Sequence, residues 1–148
     1  MKTNRIHATK GMLAATFAAI AAPTFAAAAN MPPEHRLGPV AYVSGGIGET
    51  EAKRFEREMP RHALAIEVLE HSGRVEEFTA DAGIRVADRH GRTVLDTIAD
   101  GPFVLVDLPP GRYTVIARLR NRTLRKSPVF ITRDQLARAT FEFPENTD

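Results

Sequence analysis

Between positions 118 and 126, Arg118, Arg120, Arg122, Arg125 and Lys126 stand with no carboxylate among them. Guanidinium groups present planar forks of N–H donors that match phosphate and carboxylate oxygens. The chemistry available to such a cluster is therefore the binding of anions, not bond making or breaking. In a strand, Arg118 and Arg120 share the face opposite Ala117 and Leu119, which makes a coherent basic surface. The partner such a surface fits is a phosphate-bearing envelope component, such as a lipid headgroup, or an acidic protein. The plainer reading is a solvated hairpin around Asn121 and Arg122 whose charges discourage edge-to-edge pairing. Glu67, Glu70, Glu76, Glu77 and Asp81 are available to neutralise it within the fold.

Other residues with chemical potential argue against catalysis. Ser44-Gly-Gly-Ile-Gly48 lies between a strand pattern and a helix pattern, where exposed amides can bind an anion. A dinucleotide fingerprint starting at Gly46 requires glycine at position 51, which is Glu51, and no Walker lysine follows. Glu49 and Glu51 suit the helix dipole and repel phosphate, so a tight strand-to-helix turn is expected. Tyr42 stands where a nucleophile elbow needs glycine, which excludes Ser44 from that role. His35, His62, His71 and His90 have no neighbours at metal-ligand spacing, and cysteine is absent. No catalytic, cofactor or metal residue is assigned, and the expectation is a non-enzymatic protein.

Lys2, Arg5 and Lys10 precede an alanine-rich apolar run from Met12 to Ala22, with small residues again from Ala26 to Ala29. This pattern reads as a secretory signal peptide over residues 1–29, cut after Ala28 or Ala29. The run is too short for a membrane span, so no transmembrane segment is expected after cleavage. Removing three basic leader residues turns the formal charge of +2 into −1, which removes any case for nucleic-acid binding. An exported domain without cysteine must be stable through packing alone, which fits a bacterial periplasm.

The elements that position the basic cluster follow from periodicity. Residues 30–39 carry Pro32, Pro33 and Pro39 and read as an extended lead-in. Residues 40–60 read as a short strand to Ser44, the glycine-rich turn, and a helix from Glu49 to Met59. Its apolar stripe is Ala52, Phe55 and Met59, with Glu49–Lys53 and Arg54–Glu58 at ion-pair spacing and Pro60 as its end. From Arg61 the period becomes two, and six or seven short strands follow to Phe143, before a polar tail over 144–148. Thr132 and Gln135 have capping-box spacing for one helical turn. The fold class is mainly β, a sandwich of about seven strands with one N-terminal helix.

The stretch from Asp100 to Ala117 defines that fold most closely. Pro110-Gly111 suits the centre of a type II turn, and Leu108, Tyr113 and Val115 then point into a shared core. Asp100-Gly101 suits a tight two-residue hairpin. The strand from Phe103 to Leu108 is apolar on both faces, Phe103 and Leu105 on one side and Val104 and Val106 on the other. Burying two valines is worth roughly 3 to 6 kcal/mol, so the Val104/Val106 face needs a cover. The Ala52–Phe55–Met59 helix or the Tyr42 strand is the first choice, and a second subunit is the alternative.

Residues from Ala82 to Ile131 resemble the carboxypeptidase regulatory-like domain. Gly83-Ile-Arg-Val86 is similar to the family's first conserved strand, Asp88-Arg-His-Gly91 to its hairpin turn, and Asp100-Gly101-Pro-Phe103 to its second turn. Leu108-Pro-Pro-Gly-Arg-Tyr-Thr-Val115 is similar to its hallmark. The adjacency of Asp100 and Gly101 departs from relatives that place a spacer there. The resemblance implies a transthyretin-like, prealbumin-like Greek-key sandwich. Val40 to Gly48 is similar to the front of small exported bacterial proteins that carry this domain alone, with no activity to carry over. The zinc peptidase domain behind the family name has no counterpart in these residues.

Two other function classes are weaker. The transthyretin-like hydroxyisourate hydrolases end in Tyr-Arg-Gly-Ser, whereas this chain ends Phe143-Pro-Glu-Asn-Thr-Asp148. A carbohydrate-binding module needs exposed aromatic platforms. Tryptophan is absent and most Phe positions read as inward, leaving Tyr42 as the loose aromatic.

Overall fold

The structure, a computed structural model, describes residues 30–72 and 75–144, with side chains omitted from 72 to 78. The leader reading, the tail beyond Pro144, and Glu76 and Glu77 as neutralising groups lie outside the described side chains. The described chain is mainly β, two sheets and one short helix. In order it runs β1 (His35–Leu37), β2 (Val40–Gly45), α1 (Glu49–Glu58), β3 (Leu64–Ser72), β4 (Val75–Phe78), β5 (Gly83–Ala87) and β6 (Thr93–Ile98). It continues through β7 (Phe103–Asp107), β8 (Gly111–Leu119), β9 (Arg122–Ile131) and β10 (Ala137–Phe143).

A six-stranded sheet has the order β1-β2-β7-β3-β10, with β4 also on β3, and a four-stranded sheet has the order β6-β5-β8-β9. Neighbours pair antiparallel except β10, which runs parallel to β3 with Ala139 opposite Ile66 and Phe141 opposite Val68. The core between the sheets is made by alternate residues of each strand. Leu64, Ile66 and Val68 from β3 meet Ile84 and Val86 from β5, with Tyr113, Val115 and Ala117 from β8 and Phe141 and Phe143 from β10. These are the period-two positions of the sequence, and the pleat sends every second side chain inward.

The helix lies on the other face of the six-stranded sheet. Ala52, Phe55 and Met59 pack there against Val43, Ala65, Phe103 and Leu105, with the Phe55 and Phe103 rings stacked 5.8 Å apart. The strand that is apolar on both sides is therefore covered on both, but the assignment of faces is the reverse of the expected one. Val104 and Val106 are 0 % exposed inside the sandwich core, and the helix covers Phe103 and Leu105. Val104 and Val106 cannot form a homo-oligomer face, because the second sheet already occupies it.

Several local expectations are corrected. The lead-in is not merely extended: β1 pairs with β2 in register His35–Tyr42 to Leu37–Val40, turning at Gly38 with φ 58°. With β4, which short length and charge conceal, this raises the strand content above the seven expected. Pro60 does follow the end of α1, and it sits in a 3₁₀ turn over Met59–Arg61, where its missing N–H costs nothing. Glu49 pairs with Lys53, but Glu58 pairs with Arg61 instead of Arg54, whose guanidinium donates to the Asn30 carbonyl at 3.2 Å. Residues 133–135 form bends, with no helical turn.

Both turns of the fold-defining stretch differ from their expected types. Gly111 does not take positive φ and begins β8. The Tyr113 ring passes 3.4 Å from where a Cβ would sit on it, and the Tyr113 hydroxyl donates to the Pro109 carbonyl at 2.8 Å. Asp100-Gly101 closes no hairpin, because β6 and β7 belong to different sheets and the segment carries the chain across the sandwich. At this crossing a Cβ on Gly101 would lie 2.4 Å from the Gly45 carbonyl oxygen. A Cβ on Gly46 would lie 2.3 Å from the Phe103 ring. Ser44, buried, accepts the Asp100 N–H on its hydroxyl at 2.8 Å. The Ser44-Gly-Gly-Ile-Gly48 motif thus owes its composition to a close backbone crossing and the turn into α1.

Candidate functional site

The basic cluster does not stay together. On β8 the buried side chains are Tyr113, Val115, Ala117 and Leu119, so Arg112, Thr114, Ile116 and Arg118 face outward from the four-stranded sheet. Register extends this face across the strands. Arg85 on β5 and Arg125 on β9 both stand opposite Ile116, and Thr123 stands opposite Arg118. Of the five expected residues, Arg118 and Arg125 belong to this outer face. Arg120 sits in the β8–β9 turn with φ 49° and donates to Glu70 at 2.8 Å, the internal neutralisation that the sequence allowed. Arg122 and Lys126 stand opposite the inward residues Leu119 and Val115, and the Lys126 ammonium lies over the Phe141 ring at 5.8 Å.

Arg112 and Arg85 take the places that Arg120, Arg122 and Lys126 vacate. They were legible in principle: Arg112 is six residues before Arg118 on one strand and so shares its face. Adjacent charges in sequence drew attention to a hairpin tip, whereas the surface is built by cross-strand register.

Electrostatics leaves this face positive. Asp96, on this face, is bound by Arg85 through two N–H groups at 2.8 and 3.1 Å. Among the described residues Arg112, Arg118 and Arg125 make no ion pair. A recess of about 480 Å³ opens where the β5–β6 hairpin meets β8 and β9, lined by Arg89, Arg112 and Arg125 with Thr114, Ser127 and Pro128. The Thr114 and Ser127 hydroxyls are bonded to each other at 2.8 Å.

The wall of the recess is rigid because Asp88 organises the hairpin. Its carboxylate accepts from the His90 amide at 2.8 Å, the Arg92 amide at 3.0 Å and Arg92 Nε at 2.9 Å, and Gly91 supplies φ 78°. Burial raises the Asp88 pKa, but the bonds from the Arg92 and His90 amides and the Arg92 guanidinium outweigh it and leave it lowered. Burial, then the Asp88 charge, raises that of Tyr113. Asp88 is therefore ionised at the recess wall and balanced by Arg92, its own ion-pair partner.

The aromatic inventory also changes. Tyr42 is no free platform, since His35 stacks on it at 5.3 Å and its hydroxyl bonds to Thr97 at 3.1 Å. Phe130 is not among the inward Phe positions: it is 63 % exposed and stands opposite Arg112 on the outer face. The backbone irregularity between Tyr113 and Val115 sets that register and was not visible in the sequence.

The sequence also missed one pairing of titratable groups. His62 Nδ1 lies 3.2 Å from both carboxylate oxygens of Asp107, at a recess that includes Thr132, Arg133 and Gln135. Separated by 45 residues, the two meet because β3 and β7 pair. Among the described residues no hydroxyl bonds to this ring, so the pair fastens two strand ends and does not form a nucleophile–base couple. No group of three His, Asp or Glu side chains converges as a metal site among the described residues. No helix among them is long and apolar enough to cross a membrane. No protein-family model, curated protein or solved structure matches this chain.

Proposed function

We propose that this chain is a non-enzymatic binding module of the carboxypeptidase regulatory-like, transthyretin-like type. In this reading it is exported to the periplasm and engages an anionic partner through the outer face of its four-stranded sheet. One observation carries the binding reading. Among the described residues Arg112, Arg118 and Arg125 stand on an exposed sheet face without ion-pair partners, while the carboxylates beside them, Asp96 and Asp88, are held by Arg85 and Arg92. Arginine side chains kept out of internal pairs retain their donors for an external acceptor. The family reading draws support from the two-sheet architecture, the Asp88 hairpin and the Tyr113 hydroxyl bond that ties the hallmark turn to β8. A glycan-binding reading draws on Phe130 beside Arg112, but the second exposed ring of a platform is missing from that face among the described residues.

Retention on phosphocellulose at low ionic strength tests the proposal. The triple variant Arg112→Glu, Arg118→Glu, Arg125→Glu is compared with a control of equal charge change, Arg36→Glu, Lys53→Glu, Arg57→Glu. At about 1 kcal/mol per cation near an anionic surface, the face variant binds about a hundredfold more weakly, and the control far less so. Equal losses in both would attribute retention to net charge and overturn the assignment.

A further inference from the structure

The arginines of this face do not converge on one point. Arg112 and Arg118 are six residues apart on β8, about 20 Å at ~3.3 Å per residue, and Arg85 and Arg125 flank Ile116 on the strands to either side. A single small anion cannot reach all of them; an array of anionic groups in a plane can. Large apolar side chains occupy diagonal corners of the same face. Phe130 on the edge strand β9 stands opposite Arg112, and Ile98 on the edge strand β6 stands in the row that contains Gly83 and Arg118. They are 63 % and 66 % exposed and share one face with the unpaired arginines, whereas the other exposed large apolar side chains, Leu37 and Ile47, lie singly outside it. A soluble polyanion gives such side chains nothing to enter. A headgroup layer does, since it combines phosphates at its surface with apolar material beneath.

We propose that the outer face of the four-stranded sheet docks on a bilayer rich in anionic phospholipid, the arginines on phosphates and Phe130 and Ile98 entering the headgroup layer. This rests on the reading of the face as an anion-binding surface and names its partner. The charge distribution also orients the molecule. The opposite side carries α1, where exposed Glu49 and Glu56 alternate with exposed Lys53 and Arg57 and Lys53 is paired with Glu49, so it offers the membrane no array of unpaired arginines.

The chain has no tryptophan, so Phe130→Trp supplies a single reporter at the contact. With vesicles of phosphatidylcholine and phosphatidylglycerol, its emission shifts to the blue and the protein sediments with the lipid; with phosphatidylcholine alone it does neither. Phe130→Ala weakens vesicle binding about tenfold and leaves phosphocellulose retention unchanged, a split that a purely ionic surface would not show. Retention on phosphocellulose without vesicle binding overturns the membrane assignment and points to an acidic glycan or protein. Vesicle binding that Phe130→Ala leaves intact overturns the entry of Phe130 into the headgroup layer and leaves a purely ionic contact. Loss of phosphocellulose retention as well, with the charge-reversal triple indistinguishable from wild type, removes the anionic-contact reading itself.

Discussion

The two outer faces of the sandwich are built from the same pleated geometry and end in opposite states. On the six-stranded sheet, β7 presents Phe103 and Leu105 to α1, and nearly every residue of that strand is buried. On the four-stranded sheet, β8 alternates strictly, burying Val115 and Ala117 while Arg112 and Arg118 face water. A strand apolar on both sides has a layer on each side; an alternating strand has one. The difference teaches where the molecule has finished its own packing. The helix face is completed within the chain, whereas the arginine face stays exposed among the described residues.

Breaking the covered face should have the largest effect. Phe55→Ala removes a fully buried ring stacked on Phe103 and is expected to cost about 3 to 5 kcal/mol in denaturant unfolding. Ile116→Ala, at the centre of the bare face, should cost well under half of that, and equal costs would erase the distinction between the faces. Gly101→Ala tests the crossing between the sheets. Its methyl meets the Gly45 backbone, which has no rotamer to change, and a loss of roughly 1 to 3 kcal/mol in the same measurement is expected. Tyr113→Phe removes the hydroxyl that anchors β8 to Pro109 and should cost about 1 kcal/mol while leaving the ring packed.

The smallest effect is read from pH. Asp88 has a lowered folded-state pKa, so its contribution to stability is complete above its unfolded value and disappears as pH falls through the folded one. Asp88→Asn should therefore flatten the acid limb of the stability profile and leave the neutral region less affected in slope. Tyr113 is raised, so its contribution is complete below its unfolded value and is lost as pH rises through the folded one. Tyr113→Phe should remove that alkaline loss. Thermal unfolding across pH for both variants separates the two limbs.

Much of the fold could be read from periodicity, because alternation in Leu64–Val68 and Tyr113–Leu119 and the Ala52–Phe55–Met59 stripe are local signals of burial. Which apolar face of β7 meets the helix was not local, since it depends on the order β2-β7-β3 and on the side from which α1 returns. Asp100-Gly101 resembled a hairpin turn because residue preference for tight turns and for close backbone crossings is the same: both need the absence of a side chain. The candidate surface was half visible. Arg118 and Arg125 stood in the sequence cluster, but Arg85 and Arg112 join them only through strand register, and Arg120 leaves because Glu70 lies within reach.

In the proposed reading the open, arginine-bearing face is where this protein meets its partner. Its most direct test is an amide-resolved NMR titration of the protein with inositol hexakisphosphate as polyanionic probe. Shifts are expected to concentrate on β5, β8 and β9 around Arg85, Arg112, Arg118 and Arg125, with α1 unmoved. Shifts concentrated on α1, or confined to the turn at Arg120 and Arg122, would contradict it.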